Sequence, residues 1–599
     1  MKSPLAALFA SPCAVLVRST LATGLLAMSA RAQASLEWSA TQPDNSGDEF
    51  TQMLAVGPDG SVYLAQAIPG NTPNNLDVRL VKHTDAGAFA WLAEWDTYGF
   101  NDAVTAMLTA PNGELFVAGY DRRETAIGHI NHDATLRKFS PGGTQQWFAA
   151  SQGVGGTAVS FRALARLSNG AVIGAGSKGA GGHLARFSNS GALEWQRTLT
   201  GGGFGGTWVT DVALLPDDSI VACGQRGSSF NGALTLWRYD AAGNELWRST
   251  LDELVPQQSH GASLCITPSG RIAVGGRRLV SPSANDMALA QFDPADGALD
   301  WKLYVSANSG PSGMDEIRKV AAAPDGVIWC AGRRFDTQSD MDTVILRVDG
   351  GGALLSLETW AGGATSFDQP QALHIGSAGQ AWVSVMGGVG NRDIAVLQFD
   401  SAGELVSEDV FDLGGDDIGV VAAAGPGERL TIAGSTNASG DYDAFALRID
   451  LGAAPSTYCT PKLNSLGCAP RLSFNGAPSA SATSGFDVVC ANMRNRKSGL
   501  WIYSLTGPDA APFQGGYLCT AAPRRRTPAT TSGGAASGDD CSGMHVLDFN
   551  AFAHGQLGGA PAPELLSPGT SVHTQVWARD PGAVGNSALS AGLRFETAP

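Results

Sequence analysis

Two sets of aspartates recur along the chain at nearly fixed intervals, and carboxylates gathered in a ring are what a hard cation such as Ca2+ needs. Asp102, Asp211, Asp315, Asp368 and Asp417 stand ahead of one kind of apolar run, and Asp77, Asp133, Asp286, Asp342, Asp393 and Asp443 ahead of another. The plainer role for such residues is to accept hydrogen bonds from the next backbone N–H groups and so fix a turn. The first set is a candidate cation or ligand face, with turn capping as the expectation it has to beat. Ca2+ is the one ion that pattern suggests, and otherwise no cofactor is expected. His129 and His132 could ligate a metal, but no third residue is placed to complete a zinc site and no HExxH occurs, so no metal ligand is assigned. Neither a GxSxG nucleophile elbow nor a phosphate loop ending in Lys-Ser/Thr is present, and GGGFGG at 201–206 reads as a connector. No catalytic residue is assigned.

The elements that carry these aspartates come from one repeated unit. AVGPDGSVYLA, TAPNGELFVAG, ARLSNGAVIGAG, ALLPDDSIVACG, CITPSGRIAVGG, AAAPDGVIWCAG, HIGSAGQAWVSV and AAGPGERLTIAG share one turn, anchored at Gly60, Gly113, Gly170, Asp218, Gly270, Gly326, Gly379 and Gly427, with gaps of 48 to 57 residues. Two apolar runs around an Asn/Asp-Gly turn make a hairpin. A second hairpin follows, in which Gly87, Gly143, Gly191, Gly243 and Gly297 each precede a tryptophan by four residues: Trp91, Trp147, Trp195, Trp247 and Trp301. The units around Gly352 and Gly403 lack that tryptophan. Runs such as SIVACG and VIWCAG are apolar at nearly every position, as strands covered on both faces are. In ALEW, Leu193 and Trp195 share one side and Glu194 takes the other, as in an outer strand with one wet face. Two hairpins make a four-stranded sheet that needs like neighbours to be stable. The expectation is an all-β fold, an eight-bladed β-propeller over 35–450, with seven blades as the alternative. The eighth unit runs through AFALRID to Asp450 and has no fourth strand, whereas Leu36-Glu37-Trp38 has the residues of one. Residues 35–41 should therefore pair beside 443–450 and close the ring, removing two exposed edges. Trp38 joins the structural tryptophans on that reading.

The hairpin of apolar residues around Pro-Asp-Gly, followed by D-x-x-L-x-R-F-D-x-x-G-x-x-x-W, resembles the bacterial β-propeller repeats of secreted proteins, the SBBP and Delta-60 types. The resemblance spans 35–450. It implies the fold and an extracytoplasmic location, and no shared activity; seven-bladed rings are common among such proteins, so eight units depart from a frequent pattern. Asp293, Gly297 and Trp301 are also similar to the tryptophan-docking repeats of eight-bladed quinoprotein dehydrogenases. That likeness covers packing residues only, because the adjacent Cys-Cys pair of their cofactor pocket is absent. Sialidase Asp-boxes fit less well, since their Trp follows Gly after three residues.

At the N-terminus, Lys2, Arg18, an apolar run over 21–28 and Ala32-Gln33-Ala34 read as a signal peptide, 1–34, cut before Ser35. Neither apolar run there reaches the roughly 20 residues of a spanning helix. A net charge of -16 without a basic stripe excludes a nucleic-acid partner. Of nine cysteines, five lie in the last quarter, where an exported protein forms local disulfides. Cys459 with Cys468 and Cys519 with Cys541 are the expected pairs, which leaves Cys490 over; Cys223, Cys265 and Cys330 read as buried thiols. After a linker at 451–457, residues 458–599 show β-like runs (LWIYSL, MHVLDFNAF, VHTQVWARD) without the repeat, as in a small disulfide-containing β-sandwich. YCTPKLNSLGC, PFQGGYLC and QVWARDPG resemble a C-terminal module of large exported bacterial proteins. Arg524, Arg525 and Arg526 read as a solvated loop. The expected protein is secreted or envelope-associated, monomeric, not inserted in a membrane, and a non-catalytic binder or scaffold for a protein or glycan. The alternative is an enzyme, a quinone-dependent oxidoreductase or a carbohydrate-active one, working in the central channel.

Overall fold

The computed structural model describes residues 35–597 apart from 42–46, 71–74, 125–129, 154–156, 200–205, 228–231, 252–258, 282–283, 307–314, 338–339, 364–365, 377–378, 389–391, 427–428, 452–454 and 477. The expected leader, Gly427, His129, most of GGGFGG and the middle of the linker lie outside the described residues.

Eight four-stranded antiparallel sheets account for 35–450. The first is a meander of Phe50–Val56, Val62–Pro69, Leu76–His83 and Phe89–Trp95. Six more meanders follow at 102–151, 159–199, 208–250, 259–305, 316–360 and 369–411. The eighth sheet combines Ile418–Gly425, Arg429–Thr436 and Asp443–Asp450 with Ser35–Thr41. The first strand of each sheet touches the first strand of the next, and that of the eighth touches that of the first, so the inner strands form a ring. The architecture is that of a β-propeller.

The core is accordingly not one mass but a series of wedges between neighbouring sheets. Ile173 and Leu184 of the third sheet, for example, pack with Val209, Ile220 and Trp237 of the fourth. Middle strands are buried on both faces, as in Ile220–Arg226, while outer strands such as Leu193–Leu199 are largely exposed. Here the expected alternation fails in one respect: Leu193 stays 41% exposed, and only Trp195 turns onto the neighbouring sheet. The first hairpin of each of the first seven units turns through a positive φ, taken by glycine in six and by Asp218 (φ 60°) in the fourth. Each first strand also carries a β-bulge at a matching place, such as Thr51/Met53, Val104/Ala106 and Ile317/Lys319. A bulge re-aims one side chain per strand.

Closure follows the expectation. Ser35–Thr41 pairs antiparallel with Asp443–Asp450, Leu36 opposite Ile449 and Trp38 opposite Arg448. Ion pairs bind the seam to the first sheet: Arg429 reaches Glu37 (3.0 Å) and Asp85 (3.1 Å), and Arg448 reaches Asp85 (3.2 Å).

Residues 456–596 form a separate body in which a seven-stranded and a three-stranded sheet share one core, with Phe486 and Val488 facing Trp501, Val576 and Phe595. A short helix, Phe549–Ala553, is capped by Asp548, whose Oδ1 accepts from Ala551 N at 2.9 Å. The four expected cysteines are all cross-linked, but as Cys459–Cys519 and Cys468–Cys541, not as sequence neighbours. Sheet pairing explains the correction. Ser456–Tyr458 lies beside Gly592–Glu596, which pairs in turn with Ser571–Arg579. Gln575 of that strand accepts from Cys519 N at 3.0 Å, which brings Cys519 to the Cys459 side. Asn464 accepts from Cys468 N (3.0 Å) and lies 3.4 Å from the Cys541 sulfur, joining the other pair. Cys490, Cys223 and Cys330 are buried free thiols, and Cys265 is half-buried. Arg525–Arg526 is not a loop, because it pairs with Ile502 and Tyr503 as a short strand.

Candidate functional site

Three of the five aspartates of the candidate face, Asp102, Asp368 and Asp417, accept hydrogen bonds from their own turns. Asp102 begins its strand, and its Oδ2 accepts from Thr97 N (2.9 Å) and Oγ1 (3.1 Å). Asp368 accepts from Gly362 N (2.6 Å), Ser366 Oγ (2.6 Å) and Gly388 N (3.2 Å). Asp417 accepts from Leu413 N at 3.4 Å, and Asp315 is fully buried ahead of its strand. Asp211 departs from the pattern: it sits inside Trp208–Leu214 and accepts from Val212 N (2.8 Å) and Leu264 N (3.0 Å), so it ties the fourth sheet to the fifth. Burial pushes the carboxyls of Asp102 and Asp417 up to about 7, helped by Asp121 in the first case and by Asp393 and Asp412 in the second. Burial moves Asp211 and Asp368 the same way.

Three of the six members of the second set pair with arginine: Arg123 binds Asp133 (2.8 Å), Arg334 binds Asp342 (3.0 Å) and Arg278 approaches Asp286 (3.8 Å). Among the described residues, no three His, Cys, Asp or Glu side chains stand where one ion could share them. His132 stacks on Tyr120, with ring centroids 4.9 Å apart.

The tryptophans join neighbouring sheets. The rings of Trp38, Trp91, Trp147, Trp195, Trp247 and Trp301 lie on Gly87, Gly143, Gly191, Gly243, Gly297 and Gly352 of the next sheet, where a Cβ would come within 2.6 to 2.8 Å of the indole. Those glycines are required twice over, for the contact and for a positive φ of 74° to 89°. Each indole N–H then donates to a carbonyl in that same turn, from Trp38 to Asp85 O (2.9 Å) round to Trp301 to Gly350 O (3.0 Å). A long polar side chain of strand three donates to the same carbonyl. Pro141 O receives both Trp91 (3.0 Å) and Lys82 (3.1 Å), and Pro294 O receives Trp247 (2.8 Å) and Arg238 (2.6 Å). The sequence signal for this second donor is the Lys, Arg or Gln just before the residue that ends strand three. Its role was not legible without the neighbouring sheet.

Where the sixth sheet meets the seventh, Ser356 replaces the tryptophan. Arg347 takes over, donating to the carbonyls of Ser401 and Ala402 and lying 4.9 Å from the Trp329 ring. The C-terminal body approaches the propeller at this turn, and a cleft of about 750 Å3 lies between them. Gln380, Gln398 and Ser401 line it on one side, and Arg471, Ser473 and Phe474 on the other. Asp400 is occupied by its own turn, accepting from Ala402 N and Glu404 N at 3.0 Å. Gln398, whose Oε1 accepts from Ser407 Oγ (3.2 Å), and the hydroxyls of Ser401 and Ser473 bring hydrogen-bonding groups to this lining, while Phe474, Leu472 and Pro470 offer an apolar wall, the mixture common in ligand sites between domains.

No protein-family model matches the chain, and no curated protein matches it in sequence. Solved structures similar in fold include the following three. A protein of unknown function from Dyadobacter fermentans DSM 18053 is 13% identical, over 70% of this chain and 99% of that one, with a TM-score of 0.36. The polysaccharide lyase Uly1 is 11% identical over 69% and 99%, with a TM-score of 0.40. The WD40 domain of SCAP from fission yeast is 7% identical over 70% and 98%, with a TM-score of 0.41. Likeness at this level carries no argument about activity, and the β-propeller assignment rests on strand order and on the ring of inner-strand contacts.

Proposed function

We propose that the chain is a secreted or envelope-associated binding protein: an eight-bladed β-propeller closed by its own first strand, with a β-sandwich at 458–599, holding a neutral glycan in the cleft between the two. The single observation behind this reading is the cleft lining, which brings Gln398, Ser401 and Ser473 together with Leu472 and Phe474. Two disulfides favour an oxidising compartment.

A glycan array, run with and without Ca2+ and followed by calorimetry on the hits, tests it. Phe474→Ala and Gln398→Ala should each weaken a hit at least tenfold, by about 1.4 kcal/mol, and Phe474→Ala should also lower the melting temperature of the C-terminal body, because its ring packs on Phe486. Absence of any glycan hit, or hits indifferent to both substitutions, would remove this function from the chain. A peptide as the only ligand captured by the cleft would do the same.

A further inference from the structure

At the opposite end of the propeller from the cleft, where the inner strands begin, the repeat breaks down in a localised way. The second rung ahead of the bulge pairs Trp208 with Gln225 in the fourth sheet, His260 with Arg277 in the fifth and Glu316 with Arg333 in the sixth. In the first, second, third and seventh sheets the matching rung is uncharged, as in Ala103–Tyr120 and Ser160–Ser177. The bulge of the sixth sheet, between Ile317 and Lys319, adds Arg318 to the same place.

Three guanidiniums thus come from neighbouring strands of two adjoining sheets, Arg318 from the first strand of the sixth sheet and Arg277 and Arg333 from the second strands of the fifth and sixth, and Glu316 is the carboxylate beside them, already bound to Arg333 at 2.9 Å. Among the described residues, Arg277 and Arg318 make no ion pair. Burial, with Arg333 and Arg277 as near like charges, lowers the pKa of Arg318. His260 is held down to about 4 by burial and by Arg277, so it is neutral at pH 7 and adds no charge. Its ring lies 5.7 Å from Trp208, which places a flat aromatic face at the edge of the cationic group. Like charges held together in a chain of net charge -16 are a local exception to its acidity. They cost free energy until an anion arrives between them, and the arginine fork matches a planar or tetrahedral oxyanion.

We propose that this part of the ring is an anion-binding subsite, built by Arg277, Arg318 and Arg333, that takes the carboxylate or sulfate group of an acidic saccharide, with Trp208 beneath the sugar ring. It is separate from the cleft and does not depend on it.

Calorimetric titration of the full chain with trigalacturonate, an uncharged oligosaccharide of equal length and sodium sulfate tests the assignment. Trigalacturonate should bind, the neutral oligomer should bind at least tenfold more weakly, and raising the salt should weaken the acidic ligand alone. Arg318→Gln and Arg277→Gln lie on different sheets, so each checks the other should one fail to fold; each should lower affinity at least tenfold. Trp208→Ala should weaken trigalacturonate and leave sulfate unchanged. Arg162→Gln, the bulge residue of the third sheet, and Phe474→Ala should alter neither. No binding of trigalacturonate, or an equal loss in Arg162→Gln, would overturn the proposal. So would sulfate binding as tightly as the saccharide with Trp208→Ala silent, which would mark an adventitious ion only.

Discussion

From the first sheet to the fifth, a tryptophan and a long polar side chain meet at one carbonyl of the next sheet, and at the seam Trp38 donates to Asp85 O while Arg448 pairs with the Asp85 carboxylate. In the C-terminal body nothing recurs: one aromatic core and two disulfides hold two unequal sheets. The first arrangement spreads stability over many similar interfaces, so that each is modest and none is dispensable to the circle. The second concentrates it in a few covalent and core contacts. A repeat protein whose sheets are too small to stand alone behaves as a chain of neighbours, whereas a small exported body leans on cross-links.

The sharpest way to break this contrast is at the seam. Deleting residues 35–41 removes a paired strand and exposes two edges, and should lower the propeller melting temperature by roughly 10 °C, measured by calorimetry. A smaller change would mean that the ring is held chiefly by its other interfaces. Next, replacing Cys459 and Cys519 together by alanine should cost the C-terminal body about 2 to 5 kcal/mol and leave the propeller transition where it was, which the same calorimetry separates. If both transitions shift together, the two bodies are not independent. Trp147→Ala should cost about 2 kcal/mol, below the range for a fully buried tryptophan because the ring is half-exposed. Chemical denaturation would reveal an equal loss at Trp195→Ala if the joints are equivalent.

The smallest effect concerns pH. Burial raises the Asp417 carboxyl to about 7, so between pH 4 and that value the folded chain holds a proton that the unfolded chain has released. Stability should therefore fall as pH rises through this window and level off above it. Asp102, raised to about 7 as well, adds to the same slope, so Asp417→Asn should lessen it without abolishing it, as read from melting curves at pH 4, 5.5 and 7.

Much of the fold was legible because the turn chemistry repeats. Gly60 and its counterparts mark one hairpin, Gly87 and its counterparts the other, and Leu36-Glu37-Trp38 filled a gap that only counting the units revealed. The cysteine pairing was not legible, since it depends on which strands of the C-terminal body lie side by side and not on spacing. The candidate aspartates were visible as a pattern, but the pattern cannot say whether a carboxylate faces outward or folds back onto its own loop; Asp368 does the latter. The cluster at Arg277, Arg318 and Arg333 escaped notice because its members are distant in sequence and meet only through strand register and a bulge.

The seam also sets an order of assembly. Every other sheet of the propeller is built from strands adjacent in the chain, which can pair as soon as they are made, while Ser35–Thr41 must wait for a partner about 400 residues downstream. Contacts of such long range form slowly. Locking the circle is therefore the late event in the life of each molecule, and until then the first strand to be synthesised is the last to find its place.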